Sequence, residues 1–324
     1  MYDIITCGSS TIDVFGDTSS ELIKIKTRRY EEDHIAYPSG VKILIKKLDF
    51  RLGGGGINAA VVCRTLGLKT AYLGAVGNDE NADLVLKKLK RMGIDFIGAK
   101  VEEQTGYAII LDSIENDRTI LKYSGANDLL KYSLVDKSQV KAKWIYFTSM
   151  IDESYKTIEK LAEYVKSKGI KVAFNPSNYI TKKGYRHVAR MMKACTLFMV
   201  NEVEAFQLVH VEGVKNQLKE LKKLGPKMVI VTEGKKGAGF TNGKEYIYVK
   251  ASGVVPVEVT GAGDTFGSSF VTGQILKPGN HRFALKLAQI NAESVIQKSG
   301  AHQGILTYAK AKKALKKPIK IIKL

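Results

Sequence analysis

Short apolar runs alternate with helical ones along most of this chain, and that rhythm leaves few folds open. YDIITCG (2–8) alternates apolar residues and stops at glycine, as a first buried strand does. GINAAVVCRTLG (56–67) carries apolar residues at helical spacing and ends on Gly67, a stop signal. Further strands are predicted at 69–77, 143–149, 170–177, 196–201 and 227–234. Helices are predicted at 81–93, 155–169, 187–195, 214–225, 264–276 and 281–300. Strands alternating with helices imply an α/β fold, a mostly parallel central sheet with helices on both faces. The 324 residues are ample for a buried core.

Two segments break the rhythm. Residues 14–52 contain ELIKIK and VKILIKKLDFRL, and residues 99–125 contain TGYAIILDS and RTILKYSG, all strand-like with no helix between. They are expected to pair into a small separate β-sheet, a lid over a ligand crevice. The division is then a core of 1–13, 53–98 and 126–324, and a discontinuous lid of 14–52 and 99–125.

Composition excludes several classes of protein. The three cysteines, Cys7, Cys63 and Cys195, form no C-x-x-C pair, and the five histidines show no ligand spacing. No apolar run reaches the ~18 residues of a membrane span, and the N-terminus has no basic leader, so a cytoplasmic protein without a membrane partner is expected. The formal net charge of +19 comes from lysines spread along the chain. Residues 309–324, AKAKKALKKPIKIIKL, read as a solvated helix stopped at Pro318 and a short extended tail. Such charge gives only salt-sensitive, sequence-independent affinity, and no specific nucleic acid is expected.

VEVTGAGDTFGSSFVTG (257–273) bears on chemistry. Gly261, Ala262 and Gly263 expose successive backbone N–H groups where a helix begins, and the positive end of its dipole makes that turn a site for an anion. Asp264 inside such a cradle would repel a bound phosphate. It makes sense as a base that takes a proton from an attacking hydroxyl while the amides hold charge on the phosphoryl oxygens. The competing reading is a capped helix start with Asp264 near the N-cap, favoured by the same dipole. The Walker pattern G-x-x-x-x-G-K-[ST] does not occur.

That stretch resembles the D-T-x-G-A-G-D signature of the ribokinase-like (PfkB) carbohydrate kinase family. Four further segments resemble the family in its order: RLGGGGINAAVVCRTLG (51–67), VNEVEAF (200–206), VTEGKKGAG (231–239) and SGAHQGI (299–305). The resemblance implies a ribokinase-like fold and an ATP-dependent phosphotransferase that phosphorylates a hydroxymethyl group of a small sugar, ribose-, fructose- or keto-sugar-acid-like. It assigns the base to Asp264 and the anion hole to Gly261, Ala262 and Gly263. The acceptor falls to Asp13, Gly53, Gly54 and Asn58. The nucleotide falls to Thr232, Gly234, Asn291, Ala301 and His302, with Lys235 adding charge and Asn291 about three helical turns before the base loop. Asn201 and Glu204 position Mg²⁺, partly through water. Glu153 is a further candidate for substrate contact. Relatives often pair through their lids, which implies a homodimer.

Two positions depart from the pattern. Glu258 replaces the opening Asp of the signature, in a segment that helps many relatives hold a monovalent cation, and this stands against potassium activation. Gly55 replaces a lysine of the G-G-K-G form, which argues against a phosphorylated acceptor unless Arg118 or Lys122 holds its phosphate. Two alternatives stay open. One is a nucleoside kinase, with Tyr30, Tyr37, Tyr107 or Tyr123 stacking on the base. The other is a non-catalytic protein that uses its basic surface on nucleic acid.

Overall fold

The strand Tyr2–Cys7 lies inside a ten-stranded sheet, and the chain leaves it in two directions. Its neighbours are Thr70–Leu73 on one side and Ala142–Phe147 on the other, both parallel to it. Beyond Ala142–Phe147 the order runs through Lys171–Phe174, Leu197–Asn201 and Met228–Thr232, all parallel. A doubly wound sheet that reverses its order in this way opens a crevice beyond the carboxyl ends of the strands at the reversal. Gly8, Ser9 and Thr148 follow the two strands concerned. This computed structural model describes residues 1–17, 21–26, 31–36, 39–40, 42–112 and 118–324. Tyr30 and Tyr37 lie outside the described residues, as does the side chain of Arg118.

Helices cover both faces. Asp152–Ser167, Tyr185–Ala194 and Val214–Lys223 bury Ile158, Leu161, Val188, Met191, Leu218 and Leu221 against one side of the sheet. Gly55–Thr65, Ala262–Leu276 and His281–Ile296 pack on the other, around Ile4, Trp144, Tyr146, Phe266 and Phe270.

The two interruptions of the rhythm do pair. Thr11–Asp17 lies between Lys47–Gly53, antiparallel, and Tyr107–Asp112, parallel, and Arg118–Tyr123 completes a separate four-stranded sheet. ELIKIK does not join it: Glu21–Lys26 pairs with Glu31–Ala36 as a two-stranded ribbon. Of VKILIKKLDFRL only the part from Lys47 onward is strand. The predicted strand 69–77 divides in two, because Ala75–Val76 pairs with Ala99–Lys100 and not within the main sheet. Beyond Met228–Thr232 the main sheet gains three antiparallel strands, Gly237–Thr241, Tyr246–Lys250 and Ile321–Lys323. The lysine-rich C-terminus therefore ends in a strand of the main sheet. Its helix, Tyr308–Ala314, buries Ala311 against Val62, Leu66 and Leu287. Among the described residues, no helix is long and apolar enough to cross a membrane.

Candidate active site

The helix Ala262–Leu276 is buried nearly all round, from Thr265 to Gln274. Apolar burial is worth about 1.5–3 kcal/mol for each residue such as Phe266, Phe270 or Val271. A side-chain N-cap is worth about 1 kcal/mol, so the helix holds without one. Its start is left to other work. Gly261 stands at the N-cap with φ 75° and no capping side chain, a left-handed conformation that any Cβ would strain. The Ala262 N–H is spent on the Val259 carbonyl at 3.2 Å. The amides of Gly263 and Asp264 make no backbone hydrogen bond among the described residues. Of the expected cradle, the Gly261 and Gly263 amides therefore stay without a backbone partner among the described residues, and the Asp264 amide joins them.

Asp264 does not cap its own helix. Its Oδ2 accepts a hydrogen bond from Asn58 Nδ2 at 2.9 Å. Burial lifts its carboxyl to about 6, against the opposing pull of that hydrogen bond and of the Lys122 charge. Asn58 then bridges to His302, whose Nε2 lies 2.8 Å from Asn58 Oδ1. An amide oxygen only accepts, so His302 carries its proton on Nε2. Burial, with Lys88 and Arg51 nearby, pushes His302 down to about 4 and keeps it neutral.

Two cavities meet at this helix start. One, of about 400 Å³, is lined by Ser9, Lys122, Asp128, Thr148, Asn175 and Asp264, among others. The other, of about 360 Å³, is lined by Asn201, Thr232, Gly234 and Lys235 on one side and by Val254, Pro256, Phe266 and Ile296 on the other. Ala262 and Gly263 face the second cavity while Asp264 faces the first. One turn of helix separates a hydroxyl- and amide-lined pocket from a mostly apolar cleft.

Thr148 is the residue that sequence reasoning missed. It is 3% exposed, and its Oγ1 has no hydrogen-bond partner among the described residues. A Cβ on Gly55 would stand 2.9 Å from that oxygen and 3.3 Å from Asp264 Oδ1. The lysine of the G-G-K-G form would therefore project between Thr148 and the carboxylate, and glycine leaves that space open. Its position just after a central strand, at the reversal of strand order, is the signal that could have found it.

The other expected acceptor residues sit nearby. Asp13 takes a hydrogen bond from Thr11 Oγ1, and burial raises its pKa despite that bond and Lys122. A Cβ on Gly53 would overlap the Asp13 carboxylate, so glycine is needed there. Gly54 is the N-cap of the helix that carries Asn58. Glu153 pairs with Lys156 at 3.3 Å and does not line the cavity. Tyr123 donates to Glu103 at the surface, and Tyr107 packs beside the Ile12–Leu52 core. Neither lines the cavity that holds Asp264, and its one described aromatic, Tyr179, is 75% exposed.

Of the residues expected at the nucleotide, Thr232, Gly234 and Lys235 line the apolar cleft together with Gln289, Ala292 and Glu293. Asn291 is buried with both ends engaged, donating to Ser269 Oγ and accepting from the Leu306 N–H, each at 2.8 Å. Ala301 packs against Gly261, and His302 faces Asn58 rather than the cleft. Asn201 and Glu204 form a reciprocal capping box: Asn201 Oδ1 accepts from the Glu204 N–H at 2.8 Å, and Glu204 Oε2 from the Asn201 N–H at 2.9 Å. Burial raises the Glu204 carboxyl to about 6. Among the described residues no cluster of three metal-ligating side chains occurs.

The chain is 29% identical over 247 residues to an uncharacterized sugar kinase of Archaeoglobus fulgidus, covering 74% of this chain and 96% of that protein. It is 27% identical over 299 residues to the ribokinase of Bacillus subtilis, covering 91% and 95%. The fold superposes on Arabidopsis thaliana ribokinase complexed with ribose and ATP at a TM-score of 0.83 and 21% identity, covering 98% of this chain and 99% of that one. Residues 10–307 match the pfkB family carbohydrate kinases, and this chain belongs to that family of phosphotransferases, as a sugar or nucleoside kinase.

Proposed function

We propose that this chain transfers the γ-phosphoryl group of ATP to a hydroxymethyl group of a small, unphosphorylated sugar. One observation carries the reading. The start of the helix Ala262–Leu276 forms a wall between two cavities, with Asp264 on the polar side and Ala262 and Gly263 on the apolar side. The cleft lined by Val254, Pro256, Phe266 and Ile296 suits a flat base. Thr232, Gly234 and Lys235 stand toward the phosphates.

The sugar hydroxyl binds between Asp264 and Thr148. As its oxygen attacks the γ-phosphorus, its proton passes to the Asp264 carboxylate, and the bond from that phosphorus to the β-phosphate oxygen breaks, releasing ADP. The amides of Gly263 and Asp264 take up charge on the equatorial oxygens. Asn58 holds the Asp264 carboxylate in place, with His302 fixing the orientation of its amide. Asn201 and Glu204 fit a hydrated Mg²⁺: Glu204 is one buried carboxylate, and such an ion takes one or two carboxylates and draws its remaining ligands from water and phosphate. When bound, Mg²⁺ neutralises phosphate charge.

Among the described residues, the acceptor cavity offers no buried aromatic for stacking on a base, which favours a sugar over a nucleoside. Lys122 is its one described cation and faces Asp13, Asp128 and Asp264, a charge balance that disfavours a phosphorylated acceptor. Exposed Leu48, Phe50, Ile109, Ile120 and Leu121 on the four-stranded sheet support its role as a lid that pairs with a second copy. The test is nucleotide turnover with Mg·ATP across pentoses, hexoses, keto-sugar acids, sugar phosphates and nucleosides. Turnover on unphosphorylated sugars is expected. Turnover confined to nucleosides or sugar phosphates contradicts the reading.

A further inference from the structure

The segment before the helix start and the loop after residue 298 hold each other directly. Ser299 Oγ and the Gly300 N–H both donate to Glu258 Oε2, at 3.2 and 2.7 Å. A side-chain cation already stands at this junction. Arg51 Nη1 donates to Ser299 Oγ at 3.2 Å, and a Cβ on Gly300 would come within 2.3 Å of that nitrogen. The guanidinium is anchored from its other edge as well. Nε and Nη2 reach Asp49 Oδ2 at 2.8 and 2.7 Å, and the group stacks over the Phe15 ring at 4.5 Å. Its side chain is only 19% exposed, so solvent and salt screen it little.

These donors do not fit a monovalent metal ion. The Ser299 hydroxyl gives its proton to Glu258 and takes one from Arg51, and Glu258 Oε2 is shared between two donors. A metal ion placed there would also face the guanidinium, and like charges a few ångströms apart repel strongly in a partly buried site. Yet the location is one where positive charge is useful. Ala301, next in the chain, packs against Gly261, where the phosphate-facing helix starts.

We infer that Arg51 is a built-in cation: its guanidinium supplies the fixed positive charge beside the anion-hole turn, and the protein neither binds nor needs a monovalent metal there. Arg51 acts through the loop and the turn, as a positioning residue. The statement about binding stands on this geometry alone, and the statement about turnover rests on the phosphotransfer reading above.

Thallium(I), a spectroscopic stand-in for potassium, is titrated into the full chain and followed by thallium NMR line width. No saturable broadening at this site is expected. Saturable binding that Glu258→Gln removes would overturn the proposal. Turnover is then compared in potassium chloride and choline chloride at equal ionic strength. The wild-type rate is expected to differ by less than about twofold, and activation of about tenfold by potassium would contradict the inference. Arg51→Gln is expected to lower kcat about tenfold or more in choline with little change in KM for the nucleotide, and added guanidinium ion to restore part of it. An Arg51→Gln chain with wild-type kcat in choline also overturns it. A silent acceptor panel would sink the phosphotransfer reading and leave the thallium result to decide the binding claim.

Discussion

The two cavities that meet at the start of the helix Ala262–Leu276 differ in their lining. The proposed acceptor side carries hydroxyls, amides and charged groups such as Ser9, Asn127, Asp128 and Lys122, and its Asp264 is lifted to about 6, with the nearby Asp13 also raised by burial. The donor side is walled by Val254, Pro256, Phe266, Ala292 and Ile296, and its polar groups are largely tied to one another, as where Glu293 accepts from Ser252 and Gln289. On the proposed mechanism, the difference follows from what each side does. A base must be desolvated yet still ionise near neutral pH, so it needs polar neighbours that only partly satisfy it. A nucleotide base is held by apolar area and a few fixed polar contacts.

Among changes that keep Asp264, breaking the wall between the two sides should cost most. Gly261→Ala places a Cβ where φ is 75° and 2.7 Å from the Ala301 Cβ. It should shift the first-turn amides and lower kcat by about 10²–10³-fold, the usual worth of an oxyanion donor. Steady-state kinetics on the responsive acceptor would show it. On the donor side, Glu204→Gln keeps a capping partner but loses charge. It should raise the Mg²⁺ requirement by about 10–100-fold and, near neutral pH, leave the melting temperature no lower than wild type, because a desolvated charge is removed.

The acceptor side is sharpened by Thr148→Val. Removing a hydroxyl that has no partner should raise KM for the sugar about tenfold, through loss of one hydrogen bond. It should leave stability unchanged or slightly higher, because an unsatisfied buried hydroxyl is itself costly. A fall in stability with unchanged KM would remove Thr148 from the site.

The pH dependence tests the same asymmetry. Asp264 works ionised, so kcat/KM should rise with pH up to about 6 and level off above it. Each pH unit below that point costs up to about tenfold. Stability has the opposite sign. Both Asp264 and Glu204 have folded pKa values raised above their unfolded values, so their contribution is fully present below the unfolded pKa. It is lost as pH rises through about 6, which denaturation midpoints across that range would register.

The sequence made the helix start legible because a glycine–alanine–glycine turn before an acid is a local feature with a local physical reason. The central strands were legible for the same reason, as runs such as MVIVT and TLFMVN. Long-range partners were not. His302 meets Asn58 across 244 residues, and nothing in SGAHQGI points to the amide it holds. The strand Ile321–Lys323 looks like a solvated tail until Tyr246–Lys250 offers it an edge. That edge carried an unused signal: Asn242–Gly243 sits between two short apolar runs, as a hairpin turn does. Thr148 was hidden because a threonine ending a strand is ordinary until the strand order shows that the crevice opens beside it.

The most direct test of the central claim is Asp264→Asn, measured three ways on one preparation: kcat, nucleotide affinity by calorimetry, and melting temperature near neutral pH. The account predicts a fall in kcat of about 10²–10⁴-fold, near-wild-type nucleotide affinity, and a melting temperature no lower than wild type, since a desolvated charge is removed. Wild-type turnover by this variant would contradict Asp264 as the base. Loss of nucleotide affinity equal to the loss of rate would contradict the separation of the two cavities on which the mechanism depends.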